Sequence, residues 1–263
     1  MPDVSSHPVG AFSWVELATT DPAGAVAFYR SLFGWDIIEH DMGPDGMYTI
    51  FTIRGRDVAA AAGQQPQERE MGIPPHWNMY VTVADADAAA DQAASLGGTT
   101  IVPAFDVMNH GRMAVVQDPT GAVFAIWQAG THKGAGIVNA PNSFCWNELA
   151  TPDTTKAGDF YSGLFGWTTN VQQMGPMTYT TFKNNDRPAG GMYTPSPEMG
   201  EIPPHWLVYF AVDDCDAKVK QANELGARTI APPMDIPNTG RFAMLLDPQG
   251  AAFAIIKLTM PQG

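Results

Sequence analysis

The first part of the chain has the pattern of one strand followed by one helix. Residues 12–20 form a mostly apolar run, and Asp21 and Pro22 follow it directly. A capping carboxylate with a proline at the first helical position is typical of a helix start. Apolar residues at 25, 28, 29, 32 and 33 then recur at helical spacing, and Gly34 can adopt the left-handed conformation that ends a helix. The pattern predicts a helix that runs to Gly34.

Three short strand-like runs follow this helix, and the same order then repeats. The runs cover residues 35–39, 48–53 and 57–63, with a turn rich in glycine at 43–46. A second unit has a strand at 77–83, a helix that begins near Asp85 and ends at Gly97 and Gly98, and further strands up to residue 126. The pattern therefore predicts two βαβββ units in about the first half of the chain.

The chain is a duplication. The tetrapeptide Pro-Pro-His-Trp at 74–77 returns at 203–206, and Asp-Pro at 118–119 returns at 247–248, so both motifs recur after 129 residues (203 − 74 and 247 − 118). Residues 14–19 likewise match residues 146–151. A position that is alike in both copies is more often structural, or part of a paired function, than accidental. The sequence thus predicts an α+β chain of four βαβββ units.

The repeat divides the 263 residues into two domains of about 120 residues each. We expect the first domain at residues 8–128 and the second at residues 143–260. Residues 129–142 are rich in glycine and small side chains, which is typical of a linker.

Composition indicates a folded, soluble protein. Hydrophobic residues make up 45% and charged residues 16% of the chain, and no run of about 18 apolar residues occurs. The first ten residues lack the basic and apolar regions of a secretory signal, so a cytoplasmic location is expected. A net charge of −13 disfavours nucleic acid and anionic membranes as partners. Cys145 and Cys215 stand in non-equivalent places without a Cys-x-x-Cys motif, and we expect inert buried thiols.

Several motifs follow one another in a fixed order in the first half, and most of them recur in that order in the second. They are Asp-Pro followed by Phe-Tyr and Leu-Phe-Gly-Trp, then Val-Ala-Asp at 83–85, Gly-Arg at 111–112 and Asp-Pro-Thr-Gly at 118–121. In these motifs the chain resembles the vicinal oxygen chelate superfamily, which includes glyoxalases, extradiol dioxygenases and bleomycin- and fosfomycin-resistance proteins. It is especially similar to a tandem two-domain actinobacterial subgroup that includes a mycobacterial culture-filtrate antigen, labelled hydroxylase or glyoxalase. The resemblance implies two glyoxalase-like domains, each a mixed sheet curled into a cup with helices outside.

The resemblance also implies three positions on each cup face where a divalent metal would be held. These positions are Trp14, Asn78 and Ala125 in the first half and Trp146, Leu207 and Ala254 in the second. An indole nitrogen has no available lone pair, and of the six side chains only the amide oxygen of Asn78 could coordinate a metal. We therefore expect a protein without the usual metal site and without another cofactor. A divalent metal held by unusual ligands, such as Glu16 and His76, is the alternative.

Strand alternation indicates which side chains replace the metal site. Trp14 and Glu16 are two residues apart and share a face, as Trp146 and Glu148 do. An aromatic wall beside a carboxylate can grip a flat or cationic small molecule, or raise the pKa of the carboxylate until it acts as a general base. Because an unpaired buried carboxylate is costly, Glu16 and Glu148 are our candidate catalytic residues.

The other candidate contacts with a substrate lie on the same predicted faces. They are Trp14, Tyr48, His76, Asn78 and Tyr80 in the first half, and Trp146, Tyr179, His205 and Tyr209 in the second. For the tryptophans and tyrosines, packing in the core is the competing interpretation. The two histidines follow paired prolines, so they either set the turn through the backbone or pair with the carboxylates. Arg112 and Arg241 either stabilise the fold or clamp an anionic group at the rim.

We expect a metal-independent protein that binds a small, partly aromatic or apolar organic molecule in one or both cups. Two functions remain open. One is an enzyme that uses Glu16 or Glu148 as a general base in lyase, isomerase or hydroxylase-like chemistry. The other is a binding protein that sequesters a toxic metabolite or an antibiotic. Whether the chain forms a homodimer, and whether the two halves exchange units, is also open.

Overall fold

A computed structural model describes residues 4–175 and 177–259, without the side chain of Asp45. The expected end of the second domain, residue 260, lies outside this range. In chain order the first half contains β1 (Phe12–Thr19), α1 (Pro22–Phe33), β2 (Asp36–Asp41), β3 (Met47–Ile53), β4 (Arg56–Gly63), α2 (Pro66–Glu70), β5 (His76–Thr82), α3 (Ala86–Ser95), β6 (Thr99–Val107), β7 (Gly111–Gln117) and β8 (Val123–Ala129).

The second half repeats this order, with a short 3-10 helix (Pro197–Met199) in the place of α2. It contains β9 (Phe144–Ala150), α4 (Thr154–Phe165), β10 (Thr168–Met174), β11 (Met177–Asn184), β12 (Arg187–Tyr193), β13 (His205–Ala211), α5 (Cys215–Glu224), β14 (Arg228–Ile236), β15 (Gly240–Leu246) and β16 (Ala252–Leu258). The four βαβββ units and the α+β class are as predicted.

The predicted ends of the first helix follow from its caps. Asp21 accepts a hydrogen bond from the Gly24 amide at 3.0 Å and thereby satisfies one free N–H at the helix start. Gly34 has φ of 70° at the C-cap, a left-handed conformation that glycine adopts without steric cost. Asp153 and Gly166 have the same roles in α4.

Each half forms its own eight-stranded mixed sheet. The order is β2-β3-β4-β1-β5-β8-β7-β6 in the first sheet and β10-β11-β12-β9-β13-β16-β15-β14 in the second. In the first sheet, β1 runs parallel to β4 and antiparallel to β5. In the second sheet, β9 likewise runs parallel to β12 and antiparallel to β13. The strands of one sheet therefore all come from one half, and the first strand of each half lies at the centre of its sheet.

A large aromatic core joins the two halves. Phe12, in the first half, packs its ring against Trp167 and Trp206 of the second, with centroids 5.8 and 5.0 Å apart. A second, smaller apolar cluster surrounds Leu207 and Tyr209 in the second sheet. None of the helices in the described part of the chain is both long and apolar enough to span a bilayer.

Candidate functional site

The concave face of each sheet contains one carboxylate on its central strand, between residues of the two adjacent strands. Glu16 on β1 lies opposite Asn78 on β5 and beside Ala60 on β4. In the second sheet, Glu148 on β9 lies opposite Leu207 on β13 and beside Gly191 on β12. We call the concave face around Glu16 the first cup and the face around Glu148 the second cup.

In the first cup, two tyrosines hold the carboxylate of Glu16. The Tyr48 hydroxyl, from β3, donates to Oε2 at 2.7 Å, and the Tyr80 hydroxyl, from β5, donates to Oε1 at 3.2 Å. Trp14, two residues before Glu16, is a hydrogen-bond partner of Tyr48. The structure thus brings four of the predicted site residues into one hydrogen-bonded group.

The second cup has the same arrangement. The Tyr179 hydroxyl donates to Oε1 of Glu148 at 2.9 Å, and the Tyr209 hydroxyl donates to Oε2 at 2.7 Å. The indole Nε1 of Trp146 donates to the Tyr179 hydroxyl oxygen at 2.9 Å. Each half therefore contains a carboxylate, two tyrosines and a tryptophan in equivalent places, which we call the Glu-Tyr-Tyr-Trp cluster.

Burial and hydrogen bonds act in opposite directions on the two carboxylates. Burial raises the pKa of both Glu16 and Glu148, and the tyrosine hydrogen bonds, which stabilise the ionised form, lower it less than burial raises it. Burial and the nearby carboxylate hold the pKa of all four tyrosines well above the ordinary value of 10.0. These are Tyr48, Tyr80, Tyr179 and Tyr209. The tyrosines therefore remain proton donors at neutral pH.

This geometry leaves two kinds of chemistry open to each carboxylate. Each carboxylate oxygen accepts one hydrogen bond from a tyrosine hydroxyl and keeps a further lone pair for a ligand hydroxyl. Because its pKa is raised, the carboxylate is also a better proton acceptor than an exposed one. The cluster can therefore anchor a ligand through a hydrogen bond or take up a proton from it.

The predicted histidines are engaged by the backbone. Nδ1 of His76 lies 2.9 Å from the carbonyl oxygen of Pro74, and Nδ1 of His205 lies 2.8 Å from that of Pro203. Nε2 of His76 also lies 3.7 Å from Oε1 of Glu68. These contacts favour the interpretation in which both histidines set the turn before their strands.

The predicted rim arginines tie helices to edge strands. Arg112 donates to both carboxylate oxygens of Asp87 on α3, at 2.6 and 2.9 Å, and to Asp106 on β6 at 2.9 Å. Arg241 repeats these contacts with Asp216 and Asp235 in the second half. Their guanidinium groups are thus used within the fold, which favours the structural interpretation.

Both cysteines are buried free thiols. Burial raises the pKa of the Cys145 thiol to about 12 and that of Cys215 to about 11. Because the thiolate is the reactive form, neither side chain is an activated nucleophile at neutral pH.

Two residues of the cups were not predicted from the sequence. His132, in the predicted linker, packs edge-on against Trp14 with ring centroids 4.5 Å apart. Tyr193 ends β12 on the same face as Gly191, and burial together with Glu148 raises its pKa to about 12. The alternation of β12 could have indicated Tyr193, whereas the position of His132 depends on the path of the linker.

The residues at the family's metal positions do not fit a divalent metal. Tyr80 pairs with both Trp14 and Ala125, so the first-half positions lie side by side on adjacent strands. The amide oxygen of Asn78 is the single ligand atom their side chains offer, and the corresponding residues of the second cup offer none. Over residues 4–175 and 177–259, no group of three or more His, Cys, Asp or Glu side chains could hold a metal ion.

Comparison with known proteins identifies relatives along the whole chain. The family model for the Glyoxalase/Bleomycin resistance protein/Dioxygenase superfamily matches residues 11–126 and 142–255. The chain is 43% identical over 259 residues to "Putative glyoxylase CFP32" of Mycobacterium tuberculosis, covering 98% of each protein. It is 38% identical over 260 residues to the anthracycline biosynthesis protein DnrV of Streptomyces peucetius, covering 95% of this chain and 94% of that one.

Solved structures share the fold at low sequence identity. The Mn(II)-bound glyoxalase from Novosphingobium aromaticivorans superposes with a TM-score of 0.65 at 13% identity, over 97% of this chain and 86% of that one. The 2,2',3-trihydroxybiphenyl 1,2-dioxygenase from Sphingomonas wittichii gives a TM-score of 0.65 at 11% identity, over 95% and 91% of the two chains. At this identity the likeness shows a common fold and not a common reaction.

Proposed function

We propose that this chain, which belongs to the Glyoxalase/Bleomycin resistance protein/Dioxygenase superfamily, binds a small, flat, hydroxylated aromatic molecule on the concave face of its sheets. The observation that carries this proposal is the Glu-Tyr-Tyr-Trp cluster, which occurs in both halves. A carboxylate that is buried, held by two phenols and flanked by an indole has both an apolar surface and a hydrogen-bond acceptor to offer a ligand.

The chemistry of the cluster selects the class of ligand. Aromatic side chains stack on flat rings, and a carboxylate oxygen with a free lone pair accepts a hydrogen bond from a phenolic or alcoholic hydroxyl. The relative from Streptomyces peucetius is named for the biosynthesis of anthracyclines, which contain fused hydroxylated rings. Its 38% identity over 95% of this chain supports a ligand of that general kind.

As an enzyme, the chain would use proton transfer. Glu16 or Glu148 would take a proton from a carbon or oxygen of the ligand onto a carboxylate oxygen, as the raised pKa of each carboxyl favours. The two tyrosines would stay protonated and keep the carboxylate in place through the hydrogen bonds that their hydroxyls donate to it. This chemistry corresponds to a lyase or an isomerase. No step passes through a metal, because the residues at the family's metal positions do not fit one.

A binding protein that sequesters its ligand is the second candidate. Each carboxylate oxygen of Glu148 already accepts a hydrogen bond from a tyrosine hydroxyl, with oxygen–oxygen distances of 2.9 Å to Tyr179 and 2.7 Å to Tyr209. The carboxylate is therefore satisfied before any ligand arrives. A satisfied carboxylate can anchor a ligand without changing it. This observation favours binding without turnover.

Titration with 1,4-dihydroxyanthraquinone, followed by tryptophan fluorescence, tests the proposal. We expect saturable quenching in the parent protein. In an enzyme, Glu148→Gln or Glu16→Gln would abolish turnover and preserve most of the affinity. In a binding protein, the parent would leave the probe unchanged, and the variant at the occupied cup would lose affinity. Absence of saturable binding by this probe and by related hydroxylated naphthoquinones would contradict the proposed function.

A further inference from the structure

We propose that two copies of this chain associate through β10 (Thr168–Met174), which pairs antiparallel with the same strand of the second copy. The pairing joins the second sheets of the two copies edge to edge, across a two-fold axis at Val171. The proposal is independent of the proposed function, because β10 contains no residue of the Glu-Tyr-Tyr-Trp cluster.

The two sheets together have four outer strands. These are β2 and β6 in the first sheet and β10 and β14 in the second. An outer strand presents unpaired N–H and C=O groups to any other strand, and proteins block such strands with charged side chains, prolines or bulges. Three of the four outer strands are blocked in this way.

Prolines and bulges block β6 and β14. Pro103 lies within β6, and Pro232 and Pro233 lie within β14, where a proline has no N–H to donate to a neighbouring strand. The pairing of each strand with its inner neighbour also shifts register twice. Neither strand therefore offers a regular row of donors and acceptors to a second chain.

Charge blocks β2, the strand of the first half that corresponds to β10. Asp36, Glu39 and Asp41 are all exposed along its six residues. Antiparallel pairing of β2 with the same strand of another copy would bring these carboxylates together. Like charges on opposite strands destabilise a sheet, so β2 does not favour such pairing.

The strand β10 has none of these features. Its seven residues pair with β11 without a register shift, and they include no proline and no charged side chain. Over residues 4–175 and 177–259, no other strand or loop forms backbone hydrogen bonds with the outer side of β10. This edge is therefore regular, uncharged and free to pair with another strand.

The duplication shows that the two halves differ at matching positions. Val171 corresponds to Glu39, because each comes one residue before the residue that pairs with the cluster tyrosine of the next strand. The two other carboxylates of β2 are likewise replaced in β10 by a threonine and a glutamine. The second half thus lacks the charges that prevent pairing in the first.

The sequence around β10 is also free of acidic residues. The chain has a net charge of −13, so two copies repel each other on approach. Residues 160–185 contain no Asp or Glu, whereas the corresponding residues 28–54 contain four. Association of two copies is therefore opposed less at β10 than at β2.

Pairing centred on Val171 gives compatible neighbours on both faces of the strand. The side chain of Val171 is 65% exposed and would contact its own copy, a pair of β-branched residues that stabilises adjacent strands. Thr169 would lie opposite Gln173 of the second copy, and Asn170 opposite Gln172 of the second copy. These are neutral hydroxyl and amide groups, which can donate hydrogen bonds to each other.

Sedimentation equilibrium of the parent and of Val171→Glu tests the proposal, because the variant carries at the axis the residue of the first half. The parent should change from monomer to dimer over about 1–300 μM, since one pair of strands buries less area than a standard interface. Val171→Glu should weaken this association by about tenfold or more, because two carboxylates would meet at the axis. Its circular dichroism and urea midpoint should remain those of the parent, because residue 171 is exposed.

Ile38→Glu is the matched control, since Ile38 is an exposed apolar residue of β2. It adds the same charge to the other edge and should leave the association constant within about twofold of the parent. A parent that stays monomeric over the whole range would overturn the proposal. Association of Val171→Glu at the parental strength, or an equal loss in both variants, would overturn it as well.

Cysteine cross-linking tests the register. Val171→Cys should form a disulfide-linked dimer with copper phenanthroline as oxidant, because paired residues have Cα atoms about 4.5–5.5 Å apart. In Thr169→Cys the two cysteines would lie more than about 13 Å apart along the strands, too far for a disulfide. The native Cys145 and Cys215 are buried, which limits background. Equal cross-linking of both variants, or none in Val171→Cys, would overturn the pairing at Val171.

Discussion

The hydroxyl of Tyr29 on α1 donates a hydrogen bond to Oδ2 of Asp247, 218 residues later in the other half, at 3.0 Å. Nε1 of Trp77 donates to the Tyr29 hydroxyl oxygen at 3.0 Å, so an indole, a phenol and a carboxylate form a chain between the halves. Trp206, Tyr161 and Asp118 form the reciprocal chain. The duplicated Pro-Pro-His-Trp, Phe-Tyr and Asp-Pro motifs are thus explained, in part, by the contact between the two halves.

Removing one tyrosine hydroxyl from these hydrogen-bond chains should destabilise the whole molecule. Tyr29→Phe leaves Oδ2 of Asp247 buried without its donor, which should lower the free energy of unfolding by about 1–3 kcal/mol. Urea denaturation followed by circular dichroism and tryptophan fluorescence measures this change. The two probes should report one transition, because both halves share a core.

Tyr161→Phe is the matched variant in the second half and should lose a similar amount. Two separate transitions in either variant, or no measurable loss in both, would show that the halves are not coupled through these residues.

The buried carboxylate of the second cup should make stability depend on pH. Burial raises the pKa of Glu148 above its ordinary value of 4.5, so between the unfolded and folded pKa the folded state holds a proton that the unfolded state releases. The associated stabilisation is complete below the unfolded pKa and is lost as pH rises through the folded pKa. Glu148→Gln removes the titrating carboxyl, so the stability of the variant lacks this decrease with rising pH.

The free energy of unfolding of Glu148→Gln, minus that of the parent, should therefore increase from about pH 4 to about pH 7. Urea denaturation at a series of pH values measures this difference, and Glu16→Gln should change in the same direction. A difference that is constant or decreases over this range would mean that the pKa of the carboxyl is not raised in the folded protein.

Space for Tyr179 in the second cup depends on a glycine. A Cβ added at Gly191 would collide with the Tyr179 hydroxyl oxygen. Gly191→Ala should therefore move the tyrosine away from Glu148, lower the free energy of unfolding by about 1–3 kcal/mol and weaken ligand binding. Ala60→Gly, at the corresponding place in the first cup, should lower the free energy of unfolding by about 0.5–1 kcal/mol. Retention of parental stability and affinity by Gly191→Ala would refute this role of Gly191.

Metal content should be far below one ion per chain. The positions at which the family holds its metal carry Trp14, Asn78 and Ala125 in the first half, and the second half offers no better ligands. Plasma mass spectrometry of protein purified without a chelator measures the content. One tightly held divalent ion per chain would support the alternative of unusual ligands.

Much of the fold was predictable because its signals are local. Proline after a capping aspartate, glycine at a helix end and short alternating runs each depend on neighbouring residues. The duplication supplied a second capping aspartate, a second terminal glycine and a second set of strand runs. That Trp14 and Glu16 lie on the same face of β1 followed from strand alternation alone.

The contacts that complete each site depend on the tertiary fold. Tyr48 reaches Glu16 from 32 residues away, through the register of β3, β4 and β1. The position of His132 against Trp14 depends on the path of a linker with no regular pattern. Alternation marks a face but not its neighbours across a curved sheet.

A crystal structure of the protein with 1,4-dihydroxyanthraquinone tests the central claim most directly. The account requires the probe on the concave face of one of the sheets, with a hydroxyl within hydrogen-bonding distance of Glu148 or Glu16. A probe bound away from both Glu148 and Glu16 would contradict the claim that the Glu-Tyr-Tyr-Trp clusters are the ligand-binding sites of this protein.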